Sequence, residues 1–122
     1  MTFSVITVVF NDEKQIEKTI QSVLEQSYKN IQYIIIDGKS TDNTLEIIRK
    51  YQDKSDTIVS KSDNGLYDAM NKALKYIKGD YVCFLNSGDT FFSKTTIEQA
   101  IASINTNMPQ IIYGDTDRKS VV

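Results

Sequence analysis

Two carboxylates follow apolar runs of the sequence, at positions where a side chain could bind a ligand. Asp37 comes directly after the run from Tyr33 to Ile36, and Asp89 ends the polar turn that follows the apolar stretch 81–85. A continuous apolar run lacks the alternation of a strand with one solvated face, so it predicts a parallel strand covered by helices on both sides. Open parallel sheets bind ligands just beyond the carboxyl ends of their strands. We therefore expect Asp37 and Asp89 to lie at a ligand-binding edge of a sheet.

The composition restricts the chemistry that this chain can perform. It contains no histidine and a single cysteine, Cys83, which is flanked by Val82 and Phe84. Nucleophile systems that need histidine, zinc sites of the HExxH type and histidine general bases are therefore excluded within this chain. The apolar neighbours of Cys83 predict a buried core residue and not a nucleophile. Carboxylates, hydroxyls, amides and lysines remain for any reaction.

The overall composition predicts a single domain. The chain has 122 residues, of which 40% are hydrophobic, enough to bury a core without disulfides or structural metals. Its 14 basic and 16 acidic residues include no dense basic run, so we expect no nucleic-acid partner. The apolar start is too short for a membrane span and lacks the features of a signal peptide. We expect a cytoplasmic protein, with peripheral association at a membrane left open.

Apolar periodicity alternates between strand and helix along the chain. The predicted strands are 3–10, 31–36, 57–60, 80–85 and 111–113. Amphipathic helices are predicted between them, and this alternation is typical of a parallel α/β sheet. We therefore predict one α/β domain over residues 1–122, with a mostly parallel, doubly wound sheet and helices on both faces.

Polar residues predict where the first two helices begin. Asp12 is a candidate N-cap of the first helix, with Gln15 as its capping-box partner, and this helix is expected to continue to about Gln26. Ser40 or Thr41 can cap the second helix. Both helices should therefore start close to the carboxyl ends of the strands that precede them.

The third helix carries both core residues and candidate site residues. Its periodicity is marked by Leu66, Met70, Ala73, Leu74 and Ile77, and Tyr67 and Met70 are expected to pack in the core. Asp68 and Lys72 are spaced to form a surface ion pair, which would explain both residues without a ligand. Alternatively, Asn71 and Lys72 lie near a nucleotide, and Asp63 in the preceding turn contacts it.

The two carboxylates at the strand ends also have alternative interpretations. Asp37 can accept hydrogen bonds from a ribose hydroxyl or a base N–H, or it is a solvated turn residue that caps the next helix. Asp89 suits a hard divalent cation, because Mg²⁺ takes one or two carboxylates and completes its shell with water and phosphate oxygens. Otherwise Asp89 or Ser93 caps the helix that begins near Thr95.

Four segments, taken in order and spacing, resemble a known family. VITVVFND, IIIDGKSTDNT, SDNGLYDAMNKAL and GDYVCFLNSGD resemble the nucleotide-binding half of family 2 glycosyltransferases with the GT-A fold, over nearly all of residues 3–115. The resemblance implies a nucleotide-sugar partner, commonly UDP-linked. It also implies sugar transfer, with inversion, to the hydroxyl of an acceptor such as a glycan or a lipid-linked glycan.

The resemblance also implies roles for individual residues. The Phe10-Asn11 turn and Asp37 would contact the nucleoside, and Asp63 the base or the ribose. The stretch from Asn86 and Ser87 to Asp89 corresponds to the metal-binding DxD region of the family. In this chain the region reads Asn-Ser-Gly-Asp, so Asp89 is the carboxylate that remains. We expect Mg²⁺ or Mn²⁺ to bind weakly without nucleotide and more tightly with it.

The resemblance implies a further segment after the nucleotide-binding half. Family members continue into an acceptor-binding half that carries the general base, and here Asp115 and Asp117 are the late carboxylates. We therefore expect a truncated domain that binds the donor, with the catalytic residue unknown and absent from this chain. A flank left uncovered by such a truncation predicts self-association into a homo-oligomer.

Three other functions are alternatives to sugar transfer. A non-catalytic nucleotide-binding or regulatory module would suit the short chain and the reduced acidic region. A phosphate-accepting signalling domain would place its acceptor at Asp37, but the acidic pair expected after the first strand is reduced to Asp12. A Rossmann dehydrogenase is disfavoured because no GxGxxG follows the first strand.

Overall fold

The computed structural model describes residues 1–62, 64–104, 112–115 and 118–121. The strands are β1 (Phe3–Val9), β2 (Ile31–Asp37), β3 (Thr57–Ser60), β4 (Tyr81–Phe84), β5 (Ile112–Asp115) and β6 (Arg118–Val121). The helices are α1 (Ile16–Leu24), α2 (Thr44–Arg49), α3 (Leu66–Leu74) and α4 (Thr96–Ile104), with a short 3₁₀ turn at Gln52–Lys54. No helix in these ranges is long and apolar enough to cross a bilayer.

The strands form one mixed sheet in the order β3-β2-β1-β4-β5-β6. β1 pairs in parallel with β2 on one side and with β4 on the other. β2 also pairs in parallel with β3, and β4 with β5, whereas β6 is antiparallel to β5. The strand order therefore reverses at β1, which is the kind of position where open α/β sheets bind ligands.

The sheet has a hydrophobic core on each face. Successive residues of a strand point to opposite faces, and in β1 and β2 odd and even positions separate accordingly. One core joins Phe3, Val5, Tyr33 and Ile35 to the buried sides of α1, α2 and α4. The other core joins Ile6, Ile34 and Ile36 to Ala69 and Ala73 of α3. The predicted doubly wound α/β fold is confirmed, and Cys83 is buried as predicted.

The ends of the strands differ slightly from the prediction. β1 ends at Val9 and not at residue 10, because Asn11 has a φ of 47° and turns the chain out of the sheet. β4 is shorter than predicted, and β5 runs to Asp115. β6 was not predicted, because its sequence, Arg-Lys-Ser-Val, is too polar to stand out as a strand.

The predicted helix caps are wrong for α1 and α2. α1 begins at Ile16 after Gln15, and Asp12 contributes its backbone carbonyl to the preceding turn while its side chain bonds elsewhere. α2 begins at Thr44 after Asn43. Ser40 and Thr41 bond to Asn11, in the turn after β1, and Ser40 also bonds to Asp37 at the end of β2. In both cases a polar side chain near the helix start has a partner on another strand end, so it does not cap its own helix.

The inward face of α3 also differs from the prediction. Tyr67 was expected in the core but is 82% exposed, and Leu74 is exposed as well. Ala69 and Ala73 form the buried side of the helix. These small residues let α3 lie close to the sheet. Tyr67 and Leu74 lie on the sides of the helix that face solvent.

A buried polar cluster fixes the start of β4 against β1. The Gly79 N–H donates to Ser4 Oγ at 2.9 Å, and Ser4 Oγ donates to Gln32 Oε1 at 2.7 Å. Gln32 in turn donates to the Tyr76 carbonyl at 2.8 Å. A Cβ at Gly79 would lie 2.4 Å from Ser4 Oγ and 2.8 Å from the Ser4 nitrogen, too close for any real contact. A side chain at position 79 would therefore require the Ser4 backbone or its hydroxyl to shift.

We predict that Gly79→Ala lowers the free energy of unfolding by about 1–3 kcal/mol, because the added methyl group must displace strand backbone in a packed region. Chemical denaturation followed by circular dichroism measures this change. Lys78→Ala is the matched control, since Lys78 is exposed and contributes its backbone N–H to the same cluster. Equal stability of the two variants would contradict the prediction.

Candidate functional site

The loops after β1 and β2 are joined at the carboxyl ends of the strands, an edge that we call the carboxyl edge. Asn11 accepts the Thr41 N–H on Oδ1 at 2.7 Å, and its own N–H donates to Ser40 Oγ at 2.9 Å. Its Nδ2 donates to Thr41 Oγ1 at 3.3 Å. Phe10, next to Asn11, is 61% exposed. The Phe10-Asn11 turn, which was predicted to contact a ligand, is thus held in place by hydrogen bonds and carries an exposed aromatic ring.

A second set of contacts continues this junction into α2. The Asp12 N–H donates to Thr44 Oγ1 at 2.9 Å, and Asp42 accepts the Thr44 N–H at 2.9 Å. The Glu13 N–H also lies 3.4 Å from Asp42. The Thr44 contacts, with smaller contributions from backbone N–H groups, hold the pKa of Asp42 below its usual value. Asp42 therefore stays ionised where it stabilises the loop.

Asp37 is fully buried at the end of β2. Its side chain has 0% exposure and accepts three hydrogen bonds, from the Ser40 N–H at 3.0 Å, from Ser60 Oγ at 2.8 Å and from the Ser40 hydroxyl. The alternative that Asp37 is a solvated turn residue is wrong. A phosphate-accepting role is also disfavoured, because an acceptor carboxylate must be open to its phosphate donor. In this structure Asp37 fixes the loop that carries Ser40 and Thr41 beside Asn11.

Residues 86–89, which we call the β4 tip, are held by β1 and α1. The Ser87 N–H donates to the Val8 carbonyl at 3.0 Å, and Ser87 Oγ donates to Asp12 Oδ2 at 2.8 Å. The Gly88 N–H donates to Thr19 Oγ1 at 2.9 Å. Gly88 has a φ of +96°, which other residues rarely adopt. The β4 tip is therefore a preformed turn placed beside Asp12.

The segment between the β4 tip and α4 is also held by hydrogen bonds, to Ser22 of α1 and to Gln26 just after that helix. The Phe91 N–H lies 3.3 Å from Ser22 Oγ, and Gln26 donates to the Ser93 carbonyl at 2.7 Å. Gln26 also accepts the Ile97 N–H at 3.0 Å. Ser93 Oγ is 3.3 Å from the Thr95 N–H, so the capping contacts at α4 come from Ser93 and Gln26.

The β4 tip contains one side-chain amide, Asn86, and one side-chain carboxylate, Asp89. Asn86 Oδ1 is buried and has no hydrogen-bond partner among the described residues. Asp89 lies in the same turn, and its N–H donates to the Asn86 carbonyl at 3.0 Å. Amide and carboxylate oxygens are ligands that hard divalent cations prefer. Across the described ranges no three Cys, Asp or Glu side chains are grouped closely enough to hold a metal.

The predicted ion pair on α3 is confirmed. Lys72 Nζ lies 3.4 Å from Asp68 Oδ2, and Lys72 also donates to the Ser62 carbonyl. Asp68 accepts the Asn64 N–H at 2.8 Å. This N–H, and then the Lys72 ammonium, lower the pKa of Asp68. Asn71 is exposed on the same helix. Asp63 lies outside the described residues.

The polar side of α1 was missed in the sequence. The helix was predicted to continue to about Gln26, whereas it ends at Leu24. Thr19 and Ser22 on α1, and Gln26 just after it, contact the chain between β4 and α4, but no such contacts were predicted. Their spacing of three and four residues, next to the buried Ile20 and Val23, places polar groups on a covered helix face. Covered polar groups need hydrogen-bond partners. The spacing of these residues was therefore the feature of the sequence that could have predicted their contacts.

Comparison with known proteins extends these observations. The family model described as Glycosyl transferase family 2 matches residues 4–122. The Escherichia coli protein named UDP-Glc:alpha-D-GlcNAc-diphosphoundecaprenol beta-1,3-glucosyltransferase WfaP is 41% identical over 114 residues, covering 92% of this chain and 45% of WfaP. Staphylococcus aureus TarS, a poly(ribitol-phosphate) beta-N-acetylglucosaminyltransferase, is 32% identical over 117 residues, covering 92% of this chain and 20% of TarS. The chain thus spans less than half the length of these relatives.

Solved structures show the same fold. Residues 1–349 of S. aureus TarS, crystallised with UDP-GlcNAc, superpose with a TM-score of 0.80 at 32% identity, over 87% of this chain and 32% of that one. The mannosyltransferase PcManGT from Pyrobaculum calidifontis, in complex with GDP-Man and Mn²⁺, has a TM-score of 0.75 at 24% identity, over 81% of this chain and 31% of that one, which supports the fold alone. The expected GT-A fold is confirmed, and the chain belongs to glycosyl transferase family 2.

Proposed function

We propose that this chain binds the nucleotide-sugar donor of a glycosyltransferase at the carboxyl edge of its sheet. A UDP-sugar is the favoured donor, and the sugar passes to an acceptor hydroxyl with inversion. The observation that carries the proposal is the position of two preformed polar turns, at Asn11 and at the β4 tip, on either side of the reversal in strand order at β1. The names of WfaP and the UDP-GlcNAc complex of TarS support a UDP-linked donor.

The nucleoside side of the proposed site lies after β1 and β2. Phe10 offers an exposed ring beside which a base can stack, and Asn11 offers polar groups for the base or the ribose. Asp37 supports these contacts by fixing the Ser40 loop, and it binds the nucleoside directly only if the ligand replaces Ser40 or Ser60 as a donor. The role of Asp63 at the base or the ribose stays a prediction from the sequence.

The diphosphate side of the proposed site lies at the β4 tip. Ser87 and Asn86 are polar groups of this turn, and Asn71 and Lys72 lie on α3. Lys72 is paired with Asp68, so its ammonium is available to a phosphate only when that pair opens or is shared. The negative charge of the diphosphate would therefore be offset mainly by a divalent cation held at Asp89.

The residues at the β4 tip fit a divalent cation, although weakly. Asp89 supplies one carboxylate and Asn86 Oδ1 one unpartnered oxygen, and a diphosphate and water would complete the shell of Mg²⁺ or Mn²⁺. When bound, such a cation neutralises charge that develops on the leaving diphosphate. Asp89 and Asn86 would hold it in place, while the contacts of Ser87 and Gly88 keep the turn in position.

The residues that would act on the acceptor are not assigned among those that the structure describes. A positioned carboxylate would take the proton of the acceptor hydroxyl, and no described side chain is assigned this role. The names of WfaP and TarS favour a glycan or a lipid-linked glycan as acceptor, within cell-surface polysaccharide synthesis. We propose a cytoplasmic location, at the membrane if the acceptor is lipid-linked.

We predict that UDP binds this protein in the presence of Mn²⁺ and that Asp37→Asn weakens binding about tenfold, because the amide cannot accept all the hydrogen bonds that fix the Ser40 loop. Calorimetric titration with UDP, and with GDP for comparison, measures this. Asp53→Asn is the matched control, since Asp53 is exposed in the 3₁₀ turn away from the carboxyl edge. Unchanged UDP affinity in Asp37→Asn would contradict the assigned role of Asp37.

We also predict that Mn²⁺ affinity is weak alone and rises at least tenfold with UDP, since the diphosphate supplies the oxygens that the protein lacks. Asp89→Asn should remove this enhancement and leave the weaker, metal-free UDP binding unchanged. Glu46→Gln, an exposed carboxylate change on α2, serves as the control. Equal Mn²⁺ affinity with and without UDP in the unmodified protein would refute the metal site.

Release of UDP from a UDP-sugar, measured on a protein that includes the acceptor-binding half implied by the resemblance, separates the enzyme from a non-catalytic nucleotide-binding module. A transferase releases UDP at a rate that rises with the concentration of a suitable glycan or lipid-linked acceptor. A binding module holds the UDP-sugar without turnover under every acceptor condition.

A further inference from the structure

We infer that Thr19 is a positioning residue for Asp89, an inference that rests on the proposed function. Thr19 lies on α1, has 0% exposure, and accepts the Gly88 N–H on Oγ1 at 2.9 Å. The two residues are 69 positions apart in the sequence. Gly88 immediately precedes Asp89, so the contact fixes the peptide that leads into the proposed metal-binding carboxylate.

The backbone of the β4 tip has a donor contact at each successive residue. The Ser87 N–H is bonded to the Val8 carbonyl, the Gly88 N–H to Thr19, and the Asp89 N–H to the Asn86 carbonyl. The partners of Ser87 and Asp89 are backbone groups, so a side-chain substitution cannot remove them. The partner of the Gly88 N–H is a side chain, so a substitution at Thr19 can remove this backbone contact while the contact of the Ser87 hydroxyl with Asp12 remains.

The conformation of Gly88 makes this contact important. Gly88 has a φ of +96°, so its backbone adopts a conformation that only glycine reaches readily, and its N–H is held by the Thr19 side chain. A Cβ at this position would lie 3.1 Å from Gln15 Oε1, so α1 also limits the space around the turn. Without an acceptor at position 19, the Gly88 N–H would be left unpaired next to the helix. Rotation of the turn toward water would relieve this, and it would move Asp89.

Thr19→Val tests the inference, because valine keeps the shape of threonine and removes the acceptor. The measurement is UDP affinity by calorimetry, with and without Mn²⁺. We expect Thr19→Val to reduce the enhancement of UDP binding by Mn²⁺ about tenfold, the usual effect of one lost hydrogen bond. Metal-free UDP affinity should change by less than about twofold, because the nucleoside side of the site is untouched.

Two control variants separate positioning from a general effect on α1. Thr19→Ser retains the hydroxyl and should keep the enhancement of the unmodified protein. Ser22→Ala removes the next contact along the helix, the 3.3 Å bond from the Phe91 N–H, which is further from Asp89. It should also keep the enhancement. A loss in Thr19→Val that is equal with and without Mn²⁺, or no loss at all, would overturn the inference.

Hydrogen exchange of the unmodified protein gives a second test, which does not depend on whether Thr19→Val folds. The Gly88 amide should be protected before any ligand is added, because its bond to Thr19 is already formed. Rapid exchange of this amide in the ligand-free protein would overturn the inference. If the unmodified protein binds no nucleotide under any condition, the proposed function fails, whatever the protection of Gly88.

Discussion

The parallel pairing of β1 with both of its neighbours is the constraint on which the candidate site depends. β1 runs in register with β2 from Phe3 opposite Ile31 to Val9 opposite Asp37, and with β4 from Phe3 opposite Tyr81 to Ile6 opposite Phe84. Parallel strands must end at the same edge, so segments that are distant in the sequence become neighbours there. The core on either face stabilises this arrangement without contributing a polar group to the edge.

At the carboxyl edge, the hydrogen bonds that stabilise the loops are also the ones on which the proposed donor site depends. Asp37 is buried and bonded to Ser40 and Ser60, and Ser40 in turn accepts the Asn11 N–H. A buried carboxylate without such donors would be costly, so the loop after β2 is folded tightly around it. The result is a rigid surface made before any ligand arrives, which lowers the entropy cost of binding. Loss of Asp37 would therefore disturb both the loop and the ligand site.

Sequence patterns predicted those structural features that depend on residues close together in the chain. The apolar runs predicted most of the strands, the spacing of Asp68 and Lys72 predicted their ion pair, and the neighbours of Cys83 predicted its burial. The sequence could not predict contacts between distant residues, such as Asp12 with Ser87, which are 75 positions apart. Those contacts determine whether a polar residue caps its own helix or holds another loop. The caps assigned to Asp12, Ser40 and Thr41 failed for this reason, and the role of Thr19 was missed.

The charges at the carboxyl edge explain why donor and metal should bind together. Asp37 is occupied by hydroxyl and N–H donors, and Asp12 accepts the Ser87 hydroxyl. Lys72 is paired with Asp68. At the β4 tip, Asp89 is the carboxylate present. Cation affinity at oxygen sites rises with the number of charged ligands, so here a diphosphate must supply the missing charge.

Because such coupling between the diphosphate and the cation is reciprocal, a poorly placed Asp89 would weaken the binding of both ligands. A proposed site with one carboxylate therefore depends more strongly on the orientation of that carboxylate, and the contact of Thr19 with the Gly88 N–H, immediately before Asp89, is the one inferred to fix it.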